Sequence, residues 1–249
     1  MIYGLYHSAA GMLVNQYRQD VIANNLANVD TASYKRDVPS FSERLIEAQR
    51  RLGATRNPVL DGQTGGVWSA PTATDWQAGA TEVTGNSLDA AIAGRGFFAV
   101  QTHDGVRYTR DGRFSIDARG QLVTAQDGLS VLSAQDAPIQ LGDDARDVRL
   151  RTDGSVMVND QPLAQLQVVD FDEDALRKVG RNLVASDARP QPIATQLRIG
   201  SIEKSNVDPM MEMVSMIEAS RAYQLNAQML TLQDGTLGRL VNEVARPVS

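Results

Sequence analysis

Cysteine is absent from the 249 residues, which excludes disulfides, iron–sulfur clusters, thiolate zinc sites and cysteine nucleophiles. Aromatic residues are scarce, at 5%, and argue for an elongated, layered protein over one large aromatic-filled core. His7 and His103 are the only histidines; one falls in a helical pattern and the other beside an Asp-Gly turn, so neither belongs to a recognisable triad or metal pair. No apolar run approaches the roughly 20 residues of a spanning helix, so no membrane insertion is expected. The N-terminus has no cationic start, and its longest apolar stretch, Ala9 to Val14, is too short for a signal peptide. Export, if it occurs, is expected without a cleaved signal. A net charge of −6 supplies no long-range attraction for nucleic acid. No Gly-x-Ser-x-Gly, Walker A or His-Glu-x-x-His pattern occurs, so neither catalysis nor a cofactor is expected.

What is present is a matched pair of ends. Residues 2–28 and 209–243 both read as long amphipathic helices. Ile2, Leu5, Ala9, Met12, Gln16, Gln19, Ala23 and Leu26 recur in steps of three and four, as do Met213, Met216, Ser220, Tyr223, Ala227, Leu230, Asp234, Leu237 and Val241. A 3.5-residue seam suits a narrow helix–helix contact. Asp208 reads as the N-cap of the second helix, with Pro209 at its first position and Glu212 in its first turn. Asn24, Asn25 and Asn28 crowd the last turns of the first helix, where asparagine weakens a helix interior. They mark either a frayed end or amides that bond a neighbouring subunit. The apolar seam is too small to hold such a helix alone, so both ends are expected to order on assembly.

Between the ends the chain is punctuated by glycine. Residues 42–52 read as a short charged helix, and the Gly-, Thr- and Pro-rich stretch from Gly53 to Gly85 as an extended connector. Short β-prone runs follow at Phe97–Val100, Val106–Thr109, Phe114–Ile116, Leu122–Thr124, Val148–Arg151, Ser155–Val158 and Leu163–Phe171. Asp104-Gly105, Asp111-Gly112 and Asp127-Gly128 are tight-turn signals between them. The expected fold is therefore α+β: terminal helices forming a coiled-coil layer, and an antiparallel sandwich or barrel-like central domain. The expected division is residues 1–36 and 201–249 as the helical assembly domain, 37–84 as the connector and 85–200 as the β-rich domain.

Three motifs invite functional readings. Gly94-Arg95-Gly96 resembles a nucleotide loop, but a strand and not a helix follows it, so it reads as a turn. Asp170, Asp172, Glu173 and Asp174 cluster without the glycine turn and distal carboxylate of a calcium loop. Asp172 reads instead as the cap of a short helix ending near Lys178, with Gly180 beyond. Met210, Met211, Met213, Met216 and Met229 read as flexible packing surface shared with neighbouring subunits.

The run Val21-Ile22-Ala23-Asn24-Asn25-Leu26-Ala27-Asn28-Val29-Asp30-Thr31, followed by Tyr34-Lys35-Arg36, closely resembles the N-terminal signature of bacterial flagellar basal-body rod proteins. Thr84-Gly85-Asn86-Ser87-Leu88-Asp89 through Phe97-Phe98, and Tyr108-Thr109-Arg110-Asp111-Gly112-Arg113-Phe114, resemble the middle of the rod and hook group. Gly200-Ser201-Ile202-Glu203-Lys204-Ser205-Asn206-Val207-Asp208 and Arg221-Ala222-Tyr223 resemble its end. One departure stands out: Ser33-Tyr34-Lys35 replaces the frequent Gly-Phe-Lys.

The resemblance implies a non-enzymatic axial subunit of the flagellar basal body, exported by the flagellar type III apparatus. It implies stacking with copies of itself and other rod and hook proteins into the shaft that transmits torque. Hook proteins usually carry a longer middle, and the length and divergent connector favour the FlgF type over the closely similar FlgG type. Val21, Ile22, Asn24, Asn25, Leu26, Asn28, Met213, Met216, Tyr223, Leu230 and Leu237 are the expected subunit contacts. Two rivals belong to other classes. A secreted carbohydrate-binding or adhesive β module would need an exposed aromatic platform, and Trp68 and Trp76 both fall in the connector. A hydrolase would need titratable groups gathered in a cleft.

Overall fold

The structure is a computed structural model that describes residues 2–43, 67–142, 145, 147–193 and 196–244. In chain order the elements are α1 (Ile2–Ala27), β1 (Asp37–Glu43), β2 (Val67–Thr74), β3 (Thr81–Val83), β4 (Ala90–Ala93), β5 (Phe97–Thr102), β6 (Gly105–Thr109), β7 (Phe114–Ile116), β8 (Leu122–Thr124) and β9 (Ser130–Val131). There follow β10 (Val148–Leu150), β11 (Ser155–Val158), β12 (Gln161–Gln165), β13 (Val168–Asp170), a 3₁₀ turn (Glu173–Ala175), β14 (Leu176–Val179), β15 (Leu183–Ser186), β16 (Gln191–Pro192), β17 (Gln196–Ile199), β18 (Ser201–Glu203) and α2 (Pro209–Val244). The chain divides into two compact units, one of residues 1–27, 37–74 and 208–249, the other of residues 28–36 and 75–207.

The first unit pairs α1 with α2 and carries the antiparallel β1–β2 ribbon, in which Asp37 faces Thr74 and Glu43 faces Val67. Helix α2 starts where its local signals say it should. The Asp208 Oδ1 accepts hydrogen bonds from the backbone N–H of Met210 (2.9 Å) and Met211 (3.3 Å), satisfying donors that the first turn leaves open. Helix α1 ends at Ala27, and its asparagines have work inside the chain. Asn25 donates through Nδ2 to the Asp37 carbonyl (2.8 Å) and accepts from the Asp37 N–H (2.9 Å), so its amide imitates a strand partner at the start of β1. Tyr17 reaches the same ribbon, edge-on to Phe41 and hydrogen-bonded to Thr72.

The two helices run antiparallel. A Cβ added to Gly4 would lie 3.0 Å from the Gln233 amide, and one added to Gly11 would lie 3.0 Å from the Asn226 amide. Both pairs step by seven residues in opposite directions. Arg18 then approaches Glu218 at 4.0 Å. The same register sets Asn25 opposite Glu212, and both are buried. The strip that α1 offers to α2 is therefore Gly4, Ser8, Gly11 and Asn15, small and polar.

This overturns the coiled-coil layer. Among the described residues there are two α-helices, one near each end, and no long coiled-coil layer; the α+β class stands. The physical reason is the composition of the contact. A coiled coil wants large apolar knobs on its seam, whereas here glycine lets the helices approach and Leu13 and Met213 face outward. On α2, Ser220 and Ala227 of the expected seam are half-buried. Met216, Tyr223, Leu230 and Leu237 are half-buried, interleaved with Glu212, Ala219, Asn226 and Gln233, while Met213 and Asp234 are exposed.

The second unit is built on antiparallel pairing. One sheet runs β14-β15-β6-β5-β9-β8-β7, with β13 also on β5 and β16 on β13; β10–β12 form a second sheet, and β17–β4 and β18–β3 are two-stranded. Strand β5 explains why its sequence lacks polar alternation. Phe98 and Val100 enter a core with Phe114, Leu122 and Val131, while Phe97 and Ala99 enter another with Tyr108, Val169 and Phe171. A strand covered on both faces reads as continuously apolar. Gly112 lets two motif stretches touch: a Cβ there would fall 1.8 Å from the Ala90 carbonyl oxygen, whose own N–H donates to Gly112 O at 2.9 Å.

Two local expectations fail. The short charged helix expected at 42–52 is a strand at its first two positions, since Ser42 and Glu43 lie in β1; residues 44–52 lie outside the described residues. The helix expected from Asp172 to Lys178 is a single 3₁₀ turn followed by β14, and Asp172 makes no side-chain cap bond. In both places cross-strand pairing, Ser42 with Trp68 and Lys178 with Val184, outweighs local propensity. Trp76, within the expected extended connector, packs edge-on against Phe97 at 6.2 Å.

Candidate assembly surface and the charged clamp

Three stretches that carry the family resemblance meet in the second unit. Ser33 to Arg36, Thr109 to Arg113 and Glu203 to Val207 are far apart in sequence and converge on one buried carboxylate. Glu203 Oε1 accepts from Lys35 Nζ (2.6 Å) and from the Gly79 N–H (2.9 Å), while its Oε2 lies 3.6 Å from Arg110 Nε. Lys35 Nζ also donates to the Gln77 carbonyl at 2.7 Å. Arg110 donates from Nε to Gly96 O (3.0 Å) and from its second nitrogen to Gly94 O, and its guanidinium lies 5.7 Å from the Phe97 ring centroid. The Gly94-Arg95-Gly96 turn thus serves as a carbonyl cradle for Arg110. Buried charge is tolerable only with such complete partnering.

Around this centre the backbone is fastened in turn. Ser33 donates from N–H to Glu203 O (2.9 Å) and from Oγ to Arg110 O (2.8 Å). Asn206 accepts from the Arg36 N–H (2.7 Å) and donates to Asp75 O (2.9 Å) and Gln77 O (3.2 Å). Lys178 Nζ caps Lys35 O at 2.7 Å and stands 3.7 Å above the Tyr34 ring. Burial pulls Lys35 below the ordinary lysine range, with the Glu203 carboxylate opposing that pull. Nearby, Arg113 is held above its ordinary value by its two-pronged bond to Asp111, at 2.9 and 2.7 Å. Asp89 closes the Thr84–Asp89 loop by accepting from Thr84 Oγ1 (2.6 Å) and Asn86 Nδ2 (3.0 Å). These groups bond one another and the backbone; their chemistry is that of a fastener.

The expected contact residues divide by burial. Val21, Ile22, Asn25 and Asn28 are buried within the chain, and Asn28 Oδ1 accepts from Thr31 Oγ1 at 3.2 Å. Leu26, Met216, Tyr223, Leu230 and Leu237 are half-buried, while Asn24 and Met213 are exposed. Sequence reasoning passed over a second apolar stripe on α2. Met210, Val214 and Ile217, and then Leu225, Met229 and Leu232, recur in steps of four and three on either side of Arg221 and are all exposed, as are Tyr6 and Leu13 on α1. The stripe lies one residue away from the 3.5-residue pattern of Met213 and Met216. His7 and His103 are exposed, and among the described residues no group of three or more acidic or histidine side chains gathers to hold a metal. Asp170, from the acidic cluster, pairs with Arg95 at 3.2 Å.

Comparison with known proteins follows this geometry. The family described as flagella basal body rod protein matches residues 5–35, the flagellar hook protein FlgE/F/G D1 domain matches 91–158, and the flagellar basal body rod FlgEFG protein C-terminal family matches 198–243. The flagellar basal-body rod protein FlgG of Bacillus subtilis is 36% identical over 97% of this chain and 99% of that protein. FlgG of Borreliella burgdorferi is 35% identical over 99% of this chain and 100% of that protein. The FlgF protein of Rhizobium meliloti is 29% identical over 96% of each. With motif stretches at both ends and the middle, and relatives matched over nearly their whole length, the chain belongs to the flagellar basal-body rod proteins, a family of structural subunits of the flagellum.

Proposed function

We propose that this chain is a FlgG-type subunit that joins copies of itself and other rod and hook proteins through the outward face of its helix pair. One observation carries the reading. Helix α2 turns glycine-facing amides toward α1 and leaves Met210, Val214, Ile217, Leu225, Met229 and Leu232 exposed. An apolar stripe of that length on water is a surface made for protein contact. Met213 and Asn24 lie at its border, the half-buried Leu26, Met216, Tyr223, Leu230 and Leu237 complete the contact, and Val21, Ile22, Asn25 and Asn28 support it from within. The FlgG assignment follows the higher identity to the FlgG relatives and sets aside the FlgF preference drawn from length and the divergent connector. Export by the flagellar type III apparatus without a cleaved signal, torque transmission and the absence of catalysis belong to the same proposal and rest on family membership.

The test is the pair Ile217→Asp and Leu225→Asp in one chain. Purified protein should keep the circular dichroism of its β-rich unit yet remain monomeric where the native chain associates, and a strain relying on it should not swim. Normal association and swimming by the double variant would overturn the proposal.

A further inference from the structure

We propose that α2 also carries an oxidation site, with peroxide as the oxidant and Met210, Met211, Met213 and Met229 as its targets. The consequence for assembly rests on the reading given under Proposed function. The side chains are open: Met210 is 67% exposed, Met211 62% and Met229 52%. Met12, Met157 and Met216 are half-buried and serve as internal controls. Exposure is what selects a thioether for oxidation.

The step balances. A sulfur lone pair attacks one peroxide oxygen, the O–O bond breaks, and a sulfoxide forms while the other oxygen leaves as water. Sulfur loses two electrons and the peroxide gains them. Met210 and Met229 lie on the exposed stripe and Met213 beside it, between Ile217 and the capped end of α2. A sulfoxide oxygen there demands water, so oxidation removes the stripe's capacity to be buried, while the aliphatic members Val214, Ile217, Leu225 and Leu232 cannot respond. A thiol-dependent methionine sulfoxide reductase would restore the thioethers.

The test treats the full chain with hydrogen peroxide, maps oxygen uptake by peptide mass spectrometry and follows self-association by sedimentation. The expected result is faster uptake at the four exposed methionines than at Met157 and Met216. Association should weaken by roughly tenfold or more and return after reductase treatment. A chain with all four changed to leucine should show the same association before and after peroxide, whatever its own affinity. Uniform uptake across all methionines would overturn the site. Equal association before and after selective oxidation would overturn the switch while leaving the assembly reading intact. An untreated chain that never associates would sink the assembly reading and the switch together, with the site still decided by the peptide map.

Discussion

Lys35 Nζ stands 2.6 Å from Glu203 Oε1, and the two side chains retain only 5% and 4% of their exposure. They are separated by 168 residues of chain, so the pair joins the segment entering the β-rich unit to the segment leaving it. A buried pair of this kind adds little beyond what an apolar pair would, yet losing one member leaves a charge stranded. Glu203→Ala should therefore destabilise the chain by about 3–5 kcal/mol, leaving both Lys35 and Arg110 uncompensated. The double change Lys35→Met with Glu203→Leu should recover part of that loss. Urea unfolding of the three proteins checks it; a single variant as stable as the native chain would show that the clamp is incidental.

The same lysine gives a prediction in pH. Burial lowers its folded-state pKa, so between that value and the ordinary lysine value the unfolded chain holds a proton the folded chain has released. Stability from this group therefore rises with pH across that window. Tyr108 acts in the opposite sense. Burial raises its pKa, with Asp136 adding to the rise, so its contribution falls as pH climbs above the ordinary tyrosine value. Global unfolding mixes the two, and direct titration separates them. The chain has three lysines, Lys35, Lys178 and Lys204, which makes side-chain NMR tractable. The resonance lost in Lys35→Arg should titrate below the ordinary lysine range; an ordinary midpoint would refute the assignment.

Ser33 accounts for the departure from the family's usual Gly-Phe-Lys. Its φ is +57°, a left-handed conformation that glycine adopts freely and that costs an L-residue about 1–2 kcal/mol. The Oγ bond to Arg110 O at 2.8 Å offsets that cost. Ser33→Gly removes strain and bond together and should change stability by less than about 1 kcal/mol. Ser33→Ala keeps the strain and loses the bond, and should cost about 1–3 kcal/mol. Thermal melts rank the three; alanine equal to glycine would remove the hydroxyl from the account.

What was legible in the sequence was local. Asp208, Pro209 and Glu212 announced α2 because a helix cap is written in adjacent residues, and Asp104-Gly105 and Asp127-Gly128 marked the β5–β6 and β8–β9 turns for the same reason; Asp111-Gly112, expected as a turn, is instead a close approach of Gly112 to Ala90. Pairings across distance were not legible. Nothing near Asp37 says that it will face Thr74, and nothing near Leu176 says that a strand at Leu183 will pull it out of a helix. The coiled-coil expectation failed for a subtler cause: α1 meets α2 through Gly4 and Gly11, one residue away from the Leu5 and Met12 that the period suggests. The clamp lay in plain view as three family-like stretches, but no local pattern joins residues 35, 110 and 203.

The central claim is that the exposed stripe of α2 meets another copy of the chain. Because the chain contains no cysteine, a single introduced thiol reports without background. Ile217→Cys should yield covalent dimers with a short bismaleimide linker in assembled material, whereas Asn25→Cys, at a position buried in the chain, should not. Dimers from neither position, in material shown by electron microscopy to be assembled, would contradict the account.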